Sequence, residues 1–142
     1  MHPARIYLGD SGALFLGSVL AVLTIRLNPS TENSFSGWIL VFLLLAVPIL
    51  DTSVVVASRL SQRISPFQGG RDHISHRLQD LGLTKKVAVL LIWLLQLYFC
   101  ILAVLLFTEI SNRLYFIELV AGFSWLALFF LFLRYLPIRM RG

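Results

Sequence analysis

The stretch GGRDHISHRLQDLG, residues 69–82, sets two histidines three positions apart beside arginine and aspartate. Gly69 and Gly70 break the chain ahead of it, Asp72 has a side chain suited to an N-cap, and Gly82 is a suitable stop. The spacing therefore predicts a helix of about two and a half turns. On that helix His73, His76, Arg77 and Asp80 recur at intervals of three and four and share a face, while Ile74, Leu78 and Leu81 share the opposite one. Two imidazoles and a guanidinium offered from one face suit a diphosphate, to which arginine gives two parallel hydrogen bonds. Two histidines at this spacing also suit a transition metal, but no cysteine or third histidine lies near to complete a zinc site. A solvated interfacial helix is the plainer alternative.

Two more stretches carry groups that lipid burial does not demand. In YLGDSGALFLG, residues 7–17, Asp10 stands between Gly9 and Gly12 just before an apolar run. There it can cap a helix while the glycines let a ligand approach the backbone closely. Free amides at a helix start attract phosphate, and a carboxylate beside them is a natural ligand for the magnesium that accompanies phosphate. A simple N-cap is the other reading of the same residues. In AVPILDTSVVVASRLSQR, Pro48 interrupts an apolar stretch and Asp51 follows it. Proline removes a helix hydrogen bond and bends the chain, and an acid near membrane depth is costly enough to mark a functional site. Asp51 reads equally well as the cap of a second half-helix over 52–63 at the level of the lipid headgroups.

The elements that must position these groups are membrane helices. Hydrophobic residues make up 58% of the 142-residue chain and charged residues 13%, with a mean hydropathy of +0.84. Those values lie outside the range of a soluble domain. Uncharged apolar stretches run over 11–25, 33–50, 87–108 and 119–133. A bilayer core needs about 20 helical residues, and flanking arginines can snorkel to extend a short run. The expected fold is an all-α polytopic bundle of about four transmembrane helices, near 11–27, 36–57, 87–108 and 115–134. The second is kinked, and a cytoplasmic loop over 58–86 carries the short amphipathic helix. Irregular backbone in lipid would leave polar groups unpaired, which favours helices throughout. The single cysteine, Cys100, lies inside an apolar run and reads as a packing residue. The opening MHPARIYLGDSG puts acid and glycine ahead of the apolar run, unlike a cleaved leader.

Short cytoplasmic loops hold an excess of lysine and arginine. With four spans, Arg5, Arg59, Arg63, Arg71, Arg77, Lys85, Lys86, Arg134, Arg139 and Arg141 fall on one side, and only Arg26 and Arg113 on the other. Both termini and the long middle loop are therefore expected in the cytoplasm, in a plasma (inner) membrane. The net charge of +5 then faces anionic headgroups or anionic ligands, with no need for nucleic acid.

YLGDSGALFLG, PILDT and SPFQGGRDHISHRL, in that order, resemble the C-terminal half of the polyprenyl-phosphate N-acetylhexosamine-1-phosphate transferases. The SPF…RDHISHRL form is most similar to the branch that transfers N-acetylglucosamine 1-phosphate. The resemblance implies transfer of a sugar 1-phosphate from a UDP-N-acetylhexosamine to polyprenyl phosphate on the cytoplasmic face, with magnesium and release of UMP, at the start of cell-envelope glycan synthesis. It assigns Asp10, with Gly9 and Gly12, to the glycine-aspartate motif that supports magnesium and the diphosphate. It assigns His73 and His76, with Arg71, Asp72 and Arg77 around them, to the histidine loop that engages the nucleotide-sugar phosphates. On this reading Asp10 and the two histidines converge on one pyrophosphate.

Two local departures stand out. Ala13 occupies a position where the family often has serine, and Ser75 one where many members have another histidine. The family's N-terminal half, with further spans and a pair of adjacent aspartates central to magnesium binding, has no counterpart here, and no two aspartates are adjacent anywhere. The expectation is a fragment, split product or truncated gene that works with its missing half. The rival is a non-enzymatic relative whose basic loop binds anionic lipid or a partner subunit.

Overall fold

A computed structural model describes residues 9–26, 34–67, 70, 72–108 and 114–135. Among these residues every regular element is an α-helix. The chain divides into two compact units, residues 1–33 and 34–142.

In the first unit, α1 spans Gly9–Arg26. Gly9 starts it with φ +67°, a left-handed value that a side chain would strain. Asp10 lies in the first turn and Arg26 in the last, each of the sign that the helix dipole favours. The described side chains of α1 are exposed, apart from half-buried Gly12.

The second unit begins with α2, Ser34–Leu44, and α3, Ala46–Ser61. The axes of Gly37–Leu44 and Ala46–Ser61 meet at 74°. The kink expected of this span is present, but the break falls at Leu45, three residues before Pro48. Proline cannot donate to the carbonyl four residues earlier and its ring crowds that carbonyl, so the disturbance appears one turn upstream. Gln96 repairs it. Its Nε2 donates to the carbonyls of Leu43 and Leu44 at 3.3 and 3.1 Å, and its Oε1 accepts from Val47 N at 3.2 Å. Trp125 adds an indole N–H bond of 3.0 Å to the Ala46 carbonyl. Backbone groups released by the break are thus satisfied by side chains from neighbouring helices, as an apolar surrounding requires.

Those neighbours are α5, Lys85–Thr108, and α6, Leu114–Tyr135. Leu40, Leu43, Ala46, Val47, Phe99, Leu102, Ala103, Leu106 and Ala121 form one buried cluster. Phe42 meets Trp125 edge-on at 5.3 Å, and Trp125 stacks on Phe129 at 5.7 Å. A second cluster, Leu50, Val54, Ile74 and Phe132, brings the short helix α4, Ile74–Asp80, into the same body.

Large apolar side chains such as Trp93, Phe116, Phe123 and Phe130 are exposed along α5 and α6, the surface expected to face lipid rather than water. α5 and α6 are each long and apolar enough to cross a bilayer, and the bent α2–α3 pair passes as a third span. α1 is a shorter apolar helix over its described Gly9–Leu23. Length and apolarity therefore give two or three spans among the described residues where four were expected. The protein is an all-α membrane helical bundle.

Candidate functional site

The site is built on the second half of α3, the segment that follows it, and α4. α3 ends where Arg63 adopts φ +57°, with Arg63 N bonded to the Leu60 carbonyl and Ile64 N to the Arg59 carbonyl. That left-handed residue closes the helix as a glycine commonly would. The following segment is held to α3 by Arg59. Its Nε donates to Asp72 Oδ2 at 2.6 Å and its Nη1 to the Pro66 carbonyl at 3.0 Å. The two side chains of the ion pair are 6% and 15% exposed, so solvent screens them little. A Cβ on Gly70 would lie 2.5 Å from Arg59 Nη2 and 2.9 Å from Asp72 Oδ2. Only a residue without a side chain lets the backbone pass this close to the pair.

α4 is seven residues long, too short to persist on its own. Three contacts with α3 hold it. Ile74 is 2% exposed in its cluster with Leu50, Val54 and Phe132. Arg77, 3% exposed, donates from Nη2 to Ser58 Oγ at 2.8 Å and from Nε to the Asp72 carbonyl at 2.6 Å. Asp51 reaches across from α3: Oδ1 accepts from Ile74 N at 2.6 Å, and Oδ2 lies 2.8 Å from His73 Nδ1. Burial pushes the Arg77 guanidinium below its ordinary pKa, against the opposing pull of Asp72 and Asp51.

The short helix and its Gly82 stop are present. Gly82 takes φ +93°, and its N–H and that of Leu83 return to the carbonyls of Gln79 and Leu78. Three expectations for the loop are corrected. Asp72 is not the cap of α4: His73 holds the N-cap position without a side-chain cap bond, Asp51 satisfies the first amide from another helix, and Asp72 is committed to Arg59. Arg77 does not join the histidine face, because Ser58 and the Asp72 carbonyl draw its guanidinium inward. Leu81 is 63% exposed, so the apolar face is carried by Ile74 and the half-buried Leu78.

Of the two imidazoles, the His73 side chain is 56% exposed and His76 is half-buried. Asp51 does not begin a half-helix; it lies within α3 and acts on α4. Arg71 lies outside the described residues.

In the other unit, Asp10 and Gly9 are exposed at the start of α1, and Gly12 is half-buried in its first turns. Among the described residues no group of three or more His, Cys, Asp or Glu side chains is placed to enclose a metal ion. Asp10 can supply one carboxylate, which fits a magnesium that takes one or two carboxylates and completes its shell with phosphates and water.

Over 105 residues, 74% of its length, the chain is 34% identical to the "Probable undecaprenyl-phosphate N-acetylglucosaminyl 1-phosphate transferase" of Bacillus subtilis. A continuous stretch of that length in this chain takes in residues 38–105 wherever it starts, and with them Asp51, His73 and His76. The chain belongs to the polyprenyl-phosphate N-acetylhexosamine-1-phosphate transferase family.

Other relatives of the family agree. Decaprenyl-phosphate N-acetylglucosaminephosphotransferase of Mycolicibacterium smegmatis is 34% identical over 66% of the chain. The undecaprenyl-phosphate alpha-N-acetylglucosaminyl 1-phosphate transferase of Salmonella typhi is 28% identical over 63%. The chain spans 29%, 25% and 24% of these three relatives' own lengths. No family model matches it, and no solved structure does.

Within this transferase-family segment, sequence reasoning missed Arg59, Ser58 and Gly70, and weighed Asp51 equally as a functional acid and as a cap. The signals for Asp51 were an acid near membrane depth and its place in PILDT, one of the stretches that carry the family resemblance. Nothing in the spacing marked Arg59 or Ser58, whose partners lie 13 and 19 residues away.

Proposed function

We propose that this chain supplies the histidine loop and one magnesium-binding carboxylate of a membrane transferase. The enzyme moves N-acetylglucosamine 1-phosphate from a UDP-sugar to polyprenyl phosphate. The observation that carries the reading is the likeness to relatives named for that transfer, over a stretch that includes an exposed histidine held by a carboxylate. A phosphate oxygen of the prenyl phosphate attacks the β-phosphorus of the UDP-sugar. The bond from that phosphorus to the bridging oxygen breaks, and UMP leaves with the electron pair.

The protein's part in such a transfer is positioning and charge neutralisation. His73 and His76 meet the diphosphate oxygens, with Arg71 beside them in sequence. Gly9 and Gly12 allow the backbone at the start of α1 to approach phosphate, and Asp10 would hold magnesium. That ion, when bound, offsets charge on the phosphates. The excess of lysine and arginine over residues 58–86 supports a cytoplasmic, plasma-membrane setting for this chemistry. A companion segment, carrying the paired aspartates that the family resemblance implies, completes the enzyme.

The test is reconstitution. Membranes holding this chain together with the preceding segment of a relative receive labelled UDP-N-acetylglucosamine and undecaprenyl phosphate. Lipid-linked sugar is expected to form with equimolar UMP, and to fall by about 100-fold or more with His73→Ala or His76→Ala. Product formed equally well by both variants would overturn the assignment.

A further inference from the structure

We propose that Asp51 is the positioning residue for His73, fixing the ring proton on Nδ1 and leaving Nε2 as the nitrogen that meets the ligand. This rests on the proposed role of His73 in the phosphate site and adds a residue to it. An ionised carboxylate accepts hydrogen bonds and cannot donate them, so the 2.8 Å contact with Oδ2 requires the proton on Nδ1. Nε2 then carries a lone pair in the neutral ring and a proton in the charged one. His73 is 56% exposed on its side chain, and among the described residues Nε2 has no partner, so this nitrogen is available to a ligand.

The mount is stiff on both sides. Asp51 stands within α3, directly after the fully buried Leu50 and three residues before the equally buried Val54. Its second oxygen is engaged by Ile74 N at 2.6 Å. That bond sets the carboxylate plane and ties the backbone next to His73 to the same group that orients its ring. His73 itself holds the N-cap position in an extended conformation, φ −64° and ψ 152°, and spends no side-chain bond on capping. The first amide of α4, Ile74 N, is satisfied from α3, and the imidazole makes its bond to Asp51 rather than to an amide of its own helix.

The arrangement makes Asp51→Asn a sharp probe. Ile74 N is a donor, so the carboxamide oxygen stays on it, and the amide NH2 falls opposite His73 Nδ1. That NH2 can only donate, so the proton moves to Nε2 and the ligand-facing nitrogen changes from acceptor to donor.

Nitrogen-15 NMR of the ring, on the chain in detergent at a pH where the imidazole is neutral, reads this directly. Unsubstituted protein is expected to show an unprotonated Nε2, and Asp51→Asn a protonated one, with protection of the Ile74 amide reporting that α4 remains docked. A protonated Nε2 in the unsubstituted protein overturns the proposal without any variant, as does an unchanged tautomer in a docked Asp51→Asn. In the reconstituted enzyme, Asp51→Asn is expected to lower kcat by about 100-fold while KM for the UDP-sugar shifts less than about threefold. An inverted tautomer with unchanged kcat upholds the hold of Asp51 on the ring and removes His73 from the transfer. An active His73→Ala beside an inactive Asp51→Asn means that Asp51 acts through some other group, and sinks the proposal.

Discussion

Arg59 Nε lies 2.6 Å from Asp72 Oδ2 in a pair that is largely shielded from solvent, and the same guanidinium reaches the Pro66 carbonyl. One side chain of α3 therefore holds the segment leading into the histidines at two points. Removing one member of a buried pair strands the other, at a cost of about 3–5 kcal/mol. Asp72→Ala is expected to destabilise by about that amount, and Arg59→Met combined with Asp72→Ala by less than the two single changes together. Thermal unfolding of the four proteins in detergent completes the cycle.

Gly70 and Gly82 separate two reasons for glycine. Gly70→Ala puts a methyl group against the Arg59–Asp72 pair and is expected to cost about 1–3 kcal/mol. A Cβ at Gly82 meets nothing within 4 Å, so Gly82→Ala is expected to cost only the backbone strain at φ +93°, about 1–2 kcal/mol. Unfolding midpoints give both costs. Only the first change should also disturb the His73 ring signals.

Gln96→Leu keeps side-chain bulk and removes the bonds to Leu43, Leu44 and Val47 across the α2–α3 break. Each stranded buried group costs about 1–3 kcal/mol. The expected result is a lower unfolding midpoint with faster amide exchange at Val47. Equal midpoints for the two proteins would show that the break needs no such repair.

Ile74→Ala removes the apolar anchor of α4, a loss of about 2–5 kcal/mol for a buried isoleucine. Because α4 has so few residues, the expected outcome is local: exchange protection falls over 74–80 while α5 and α6 keep theirs. The His73–Asp51 contact should loosen with it, visible as a mixed tautomer.

Asp10 is exposed, and its replacement should leave the fold alone. Asp10→Asn is expected to change stability by less than about 0.5 kcal/mol. In the reconstituted enzyme it should raise the magnesium concentration needed for half-maximal rate by about tenfold or more. A large drop in the unfolding midpoint would point to a capping role instead.

Composition made the helical membrane class legible, and local rules found what depends on near neighbours. The stop at Gly82, the short helix with Ile74 inside, and a kink near Pro48 all follow from residues within one or two turns. What escaped was long-range. Asp72 has the right type and position for a cap, but a better acceptor arrives from Asp51, 23 residues earlier than the Ile74 amide it satisfies. Arg77 has the spacing of a face residue, yet Ser58 and the Asp72 carbonyl turn it inward. A helical wheel assigns each side chain a direction from its own axis alone. Arginine is long enough to leave that direction for a partner elsewhere.

The cluster that seats Ile74 also contains Phe132, near the end of α6. During synthesis the histidines leave the ribosome more than fifty residues before that phenylalanine does. Their docking surface is unfinished until α6 has inserted. Biogenesis thus sets an order: the loop becomes rigid only after α6 has been made, so a nascent chain halted before α6 would expose it unsecured.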